Sequence, residues 1–129
     1  MSTMQRRTGQ RDAIERTIRE AGRPVGPQEI RELAERYSPG VGIATIYRTI
    51  KALVANGTLA VVEIPGGPAL YELAAKPHHH HFHCRACGKV FEVHGCGGHF
   101  HQMTPLGFVL EGHEVILRGL CSDCVSKQP

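Results

Sequence analysis

Gly42-Ile43-Ala44-Thr45-Ile46-Tyr47-Arg48-Thr49-Ile50-Lys51-Ala52-Leu53-Val54-Ala55-Asn56-Gly57 is the stretch on which the fold turns. Ile46, Ile50, Leu53 and Val54 recur at helical spacing, so the segment reads as a helix over residues 43–56, stopped at Asn56-Gly57. Its other face carries Thr45, Arg48, Thr49 and Lys51, and no acidic residue stands between Ser38 and Thr58. A polyanion approaching that face meets no opposing charge.

Two more helices precede this one. Thr8 is a candidate cap for a helix whose Ile14, Ile18 and Ala21 share a stripe and which ends at Gly22, ahead of Pro24. Pro27 suits the first turn of a second helix, where a missing N–H costs nothing; Ile30, Leu33, Ala34 and Tyr37 follow, and Ser38-Pro39-Gly40 closes it. Beyond the third helix, strand-like runs over 59–64 and 69–73 flank Pro65-Gly66-Gly67-Pro68, which is a hairpin. Three short helices and a hairpin make a winged helix-turn-helix with the third helix as reader. The competing reading is a small helical domain whose basic face is merely solvated.

The chain's 129 residues fit one modest domain or two small ones. Residues 1–76 hold 11 Lys/Arg against 8 Asp/Glu, residues 77–129 hold 4 against 4, and every histidine and cysteine lies after Lys76. The chemistry changes so abruptly there that the boundary is placed within 74–77, giving a winged-helix domain over 1–76 and a metal-binding domain over 77–129. In the second half, strands are expected over 81–85, 90–93, 108–110 and 114–117, while 95–103 is too glycine-rich to read firmly as helix. The fold class is therefore α+β. Apolar runs are too short for a membrane span or secretory signal, so a cytoplasmic, reducing setting is expected, in which paired cysteines hold metal.

Cys84-Arg85-Ala86-Cys87 and Cys121-Ser122-Asp123-Cys124 are two such pairs. Two-residue spacing lets both sulfurs of a knuckle reach one ion, and two knuckles close a tetrahedral four-cysteine site for Zn2+. That staple serves stability, which a half so poor in apolar residues needs. The run His78-His79-His80-His81-Phe82-His83 leads into Cys84. If extended, it turns His79, His81 and His83 to one side and His78 and His80 to the other, making two half-sites, with Glu72 within reach of one. Cys96 sits among glycines beside His94, His99 and His101, and reads equally as a ligand, a redox-sensing thiol or a small buried hydrophobe. No H-E-x-x-H or comparable constellation supports an enzyme.

Taken together, residues 42–50, Tyr71-Glu72-Leu73, the histidine run, Cys84-x-x-Cys87-Gly88-Lys89-Val90 and Cys121-x-x-Cys124 resemble the ferric uptake regulator (Fur) family of bacterial metalloregulators, over nearly the whole chain from Thr8-Gly9-Gln10-Arg11 onward. The resemblance implies a homodimeric repressor binding palindromic double-stranded DNA operators, with a C-terminal α/β dimerisation domain and no small-molecule substrate. By position it assigns Tyr47 and Arg48 to DNA bases, and Arg6, Arg7 and Arg11 to the backbone or minor groove; Thr45 and Lys51, on the same outer face of the third helix, are further DNA-binding candidates. It assigns Cys84, Cys87, Cys121 and Cys124 to structural zinc, and Glu72, His79 and His81 to a regulatory ion, Fe2+ or Zn2+. His78, His80 and His113 fall to a further site, where the shortened stretch between Cys87 and Gly107 puts Cys96 or His99 in place of a glutamate. Pro24 replaces a histidine of iron-type members, and Ala60 and Ala74 replace an Asp and a Cys of zinc-type members. An iron-dependent peroxide sensor and a zinc-stapled protein-interaction module are the alternatives.

Overall fold

The structure is a computed structural model that describes residues 3–95, 98 and 100–127, with the backbone alone for residues 3–8. The chain divides into two units, Met1–Lys76 and Pro77–Pro129. In the first, α1 (Thr3–Ala21), α2 (Pro27–Ala34) and α3 (Ile43–Ala55) bury Ile14, Ile18, Ile30, Ala34, Ile46, Ile50 and Leu53 in one cluster, closed by Val25, Val41 and Leu59. The apolar stripes of the three helices converge there because each has one side to remove from water.

Two helix ends depart from the sequence reading. The first helix starts at Thr3, and Thr8 lies inside it instead of capping it. Met4, Gln5, Arg6 and Arg7 are good helix formers, so the helix propagates back past the point where its apolar stripe begins. The second helix stops at Ala34, short of Tyr37. Ser38 precedes a proline, which disfavours helical backbone, and the Gly40 N–H donates to both carboxylate oxygens of Glu35 at 3.0 and 3.1 Å. Tyr37 instead donates to Glu20 and lies under Arg16, 4.2 Å from ring centroid to guanidinium carbon. Between α1 and α2, Arg23 grips both carboxylate oxygens of Glu29 around the buried Pro24.

The wing is β1 (Leu59–Val62) paired antiparallel with β2 (Leu70–Leu73), Leu59 opposite Leu73 and Val62 opposite Leu70. It is shorter than the expected 59–64 because Ile64, though buried, precedes Pro65 and the turn. Val25, between Pro24 and Gly26, adds a bridge the sequence did not announce: its N–H and C=O pair with Tyr71 at 3.0 and 2.9 Å.

The second unit consists of β3 (His80–Cys84), β4 (Val90–Val93), a four-residue α4 (Phe100–Met103), β5 (Ile116–Gly119) and α5 (Ser122–Ser126). Its sheet has the order β4-β3-β5, antiparallel between β3 and β4 and parallel between β3 and β5. The expected strand over 108–110 does not form: no described strand pairs with it, and Phe108 and Val109 stand exposed. The strand expected over 114–117 starts two residues later, α4 falls inside the 95–103 stretch read as a weak helix at most, and α5 was not foreseen. Among the described residues the buried side chains of this unit are His80, Cys84, Val90 and Cys124. Cys96 and His99 lie outside the described residues. No described helix is long and apolar enough to cross a membrane.

Candidate metal centres and nucleic-acid face

The first knuckle follows β3 and turns at Gly88, whose φ of 77° suits glycine; the second opens α5, with Cys121 as its N-cap. All four sulfurs, of Cys84, Cys87, Cys121 and Cys124, lie within 4.8 Å of one another, and those of Cys87 and Cys121 are 3.9 Å apart. A tetrahedron with Zn–S bonds of about 2.3 Å has edges of about 3.8 Å, so the spacing suits one ion, and it is too wide for a disulfide. The backbone N–H groups of Cys87 and Cys121 donate to the Cys84 sulfur and lower its pKa to about 5. Hydrogen bonds with Cys121 and Cys84, then burial, push Cys124 up to about 12, so in the absence of an ion one sulfur of the cluster ionises readily while its neighbour keeps its proton.

The β3 strand turns alternate histidines to opposite sides. On one side, His78 Nε2 lies 3.1 Å from His80 Nε2 and 3.2 Å from His113 Nε2. Three imidazole nitrogens at that separation match three corners of a tetrahedral site with metal–nitrogen bonds of about 2.0–2.1 Å. Burial, then the neighbouring His78 and His113, lower the His80 pKa and favour the neutral ring that a ligand must be.

On the other side, the His79 and His81 rings are 4.9 Å apart. His79 Nδ1 lies 2.8 Å from the Pro77 carbonyl, which accepts a hydrogen bond from its N–H and so makes Nε2 the unprotonated, ligand-type nitrogen of the neutral ring. The sequence reading missed Glu92. It stands directly opposite His81 in the β3–β4 ladder, so the two side chains share a face. Its only signal was an acid inside the apolar run Val90-Phe91-Glu92-Val93. In the first unit, Glu72 sits on β2, 5% exposed, with Lys76 Nζ 3.8 Å from its carboxylate. Pro24 is fully buried and offers no donor atom.

The exposed face of α3 carries Thr45, Tyr47, Arg48 and Lys51, with Tyr47 57% exposed. Arg48 Nη2 donates to Thr45 Oγ1 at 3.1 Å, which holds the guanidinium against the helix. Arg11 and Gln10 of α1 join Thr45, Arg48 and Thr49 around a cleft of about 370 Å³. Arg6 and Arg7 lie in α1, and their side chains are outside the described residues.

The Ferric uptake regulator family model matches residues 2–117. The ferric uptake regulation protein of Campylobacter jejuni is 33% identical over 122 residues, covering 91% of this chain and 78% of that protein. The zinc uptake regulation protein of Mycobacterium tuberculosis is 31% identical over 127 residues, covering 94% and 95%. Among solved structures, the Helicobacter pylori ferric uptake regulator, described as having three functional metal-binding sites, superposes with a TM-score of 0.73 at 25% identity over 90% of this chain and 79% of that one.

Proposed function

The chain belongs to the ferric uptake regulator family, and from that premise we propose that it is a dimeric repressor which grips palindromic duplex DNA through α3 when a ferrous-type ion fills its regulatory site. It is a metal-binding transcriptional regulator and not an enzyme. The observation that carries the metal dependence is the imidazole pair His79 and His81, one ring already in ligand tautomer, standing immediately after Lys76, where the reader unit ends.

In this reading, Cys84, Cys87, Cys121 and Cys124 hold structural zinc, and His79, His81 and Glu92 hold the regulatory ion together with Glu72 from the wing. Bound there, the ion would supply positive charge that carboxylates and imidazoles of both units share, and so favour one arrangement of the reader. Carboxylates beside imidazoles, without a thiolate, lean toward Fe2+ over Zn2+. His78, His80 and His113 make a further site. Moving the reader from 1:99 to 99:1 in its binding-competent arrangement takes about 5.5 kcal/mol of differential affinity, within the reach of a multidentate site.

Two copies of α3 in a dimer meet successive major grooves. Arg48, steadied by Thr45, reads a guanine edge, Tyr47 packs on a thymine methyl, and Arg11 and Lys51 neutralise phosphates.

The test strips loosely held metal with a mild chelator, checks that the thiolate zinc remains, and measures binding to a duplex selected from a random pool. Fe2+, Zn2+, Mn2+ and Ni2+ are returned one at a time without oxygen. Fe2+ should restore binding to the duplex. Equal affinity of stripped and loaded protein refutes metal gating, and failure of Fe2+ to restore binding refutes the choice of iron.

A further inference from the structure

We propose that Phe100 and Gly98 brace the third imidazole of the His78–His80–His113 trio, so that an aromatic ring outside the ligand set tunes how tightly the trio holds a divalent cation. The inference rests on reading the trio as a metal site. His80 is fixed on β3, whereas His113 comes from a stretch between α4 and β5 without helix or strand. A ring on such a stretch must lose rotamer freedom before it can ligate. Phe100 supplies the constraint: its ring stacks on that of His113 with centroids 4.2 Å apart and planes 27° from parallel. The stack leaves the His113 edge, with Nε2, facing His78 at 3.2 Å.

Gly98 makes room for the stack. A Cβ built at Gly98 would lie 2.2 and 2.3 Å from two atoms of the Phe100 ring, closer than any side chain tolerates. The obstructed atoms are the far end of a side chain, so an alanine there displaces the ring from His113 while sparing the backbone. Phe100 and His113 also line a cavity of about 360 Å³ with Met103 and Phe108, into which a displaced ring can swing.

The experiment titrates Co2+ into zinc-stapled protein carrying His79→Gln and His81→Gln, so that the trio alone takes up the added ion. Imidazole-bound Co2+ is followed by its visible d–d bands, which are distinct from thiolate charge-transfer absorption. Phe100→Ala and Gly98→Ala should each weaken Co2+ binding about three- to tenfold, the range expected for losing one aromatic stack and one ordered ring. Phe100→Tyr should retain the parent affinity, and neither thermal transition of the zinc-stapled protein should move. Parent-like affinity in Phe100→Ala and Gly98→Ala overturns the brace, as does a loss that Phe100→Tyr shares. If the parent binds no Co2+ and His113→Ala changes nothing, the trio reading itself fails and takes the brace with it.

Discussion

Removing one thiolate, in Cys84→Ser, should unfold the second unit and leave the first standing. Buried apolar residues run from Ala13 to Ile64 in the first unit, whereas Cys84, Val90 and Cys124 supply those described in the second. Burying a valine contributes about 1.5–3 kcal/mol, and ordering each backbone residue costs about 1–2 kcal/mol, so Val90 and three short strands cannot hold some fifty residues. Structural zinc adds about 10–16 kcal/mol of apparent binding energy, on the scale of a whole domain's net stability. Serine offers no thiolate, and it removes the sulfur that the backbone N–H groups of Cys87, Cys121 and Ala86 are set to stabilise as an anion. The assay is amide hydrogen exchange read by NMR, with zinc content measured in parallel. Amides of β3, β4 and β5 should lose protection while those of α1 and α3 keep theirs, and calorimetry should show one transition where the parent shows two. Protected β3 amides in a variant proven free of zinc would refute the reasoning.

Arg48→Ala should cost about 1–3 kcal/mol on the selected duplex with little change on scrambled DNA; an equal loss on both would reduce Arg48 to a phosphate contact. Glu72→Gln should leave the thiolate zinc in place, by elemental analysis, while flattening the rise in DNA affinity on adding Fe2+; a preserved rise removes Glu72 from the site. His80 is held below the usual histidine value by burial and by His78 and His113, so the unfolded chain binds a proton near pH 6.5 that the folded chain refuses. Stability is therefore full above about pH 6.5 and falls as the pH drops through that value, and melts of chelator-treated protein between about pH 7 and 5 should show a slope that His80→Leu reduces. Leu53→Ala, at a side chain only 1% exposed, should destabilise the first unit by about 2–5 kcal/mol without changing zinc content.

What could be read from the residues depended on how local the signal was. Helix α3 and the wing were legible because periodicity and turn residues act within a few positions, and the cysteine spacing put four sulfurs together for the same reason. The start of α1 was not, since an amphipathic stripe marks where a helix packs and says nothing of how far it extends into solvent. The stretch 108–110 has strand-like residues, but a strand forms only where a partner lines up with it, and no described strand does so here. Glu92 was missed because its place opposite His81 is set by the register across the Cys84–Cys87 turn, a relation between two strands. The contact of Phe100 with His113 joins residues with no shared period, and Gly98 could be understood only once the ring beside it was located.

Tyr71 is clamped from both edges, by Val61 in the hairpin and by Val25 from the link between α1 and α2. Its neighbour Glu72 is thus mounted on stiff backbone. Any tug on that carboxylate is shared at once with the helices, and the wing has little freedom to bend by itself. Force applied at one oxygen should turn the reader as a single piece, much as a key turns with its bow.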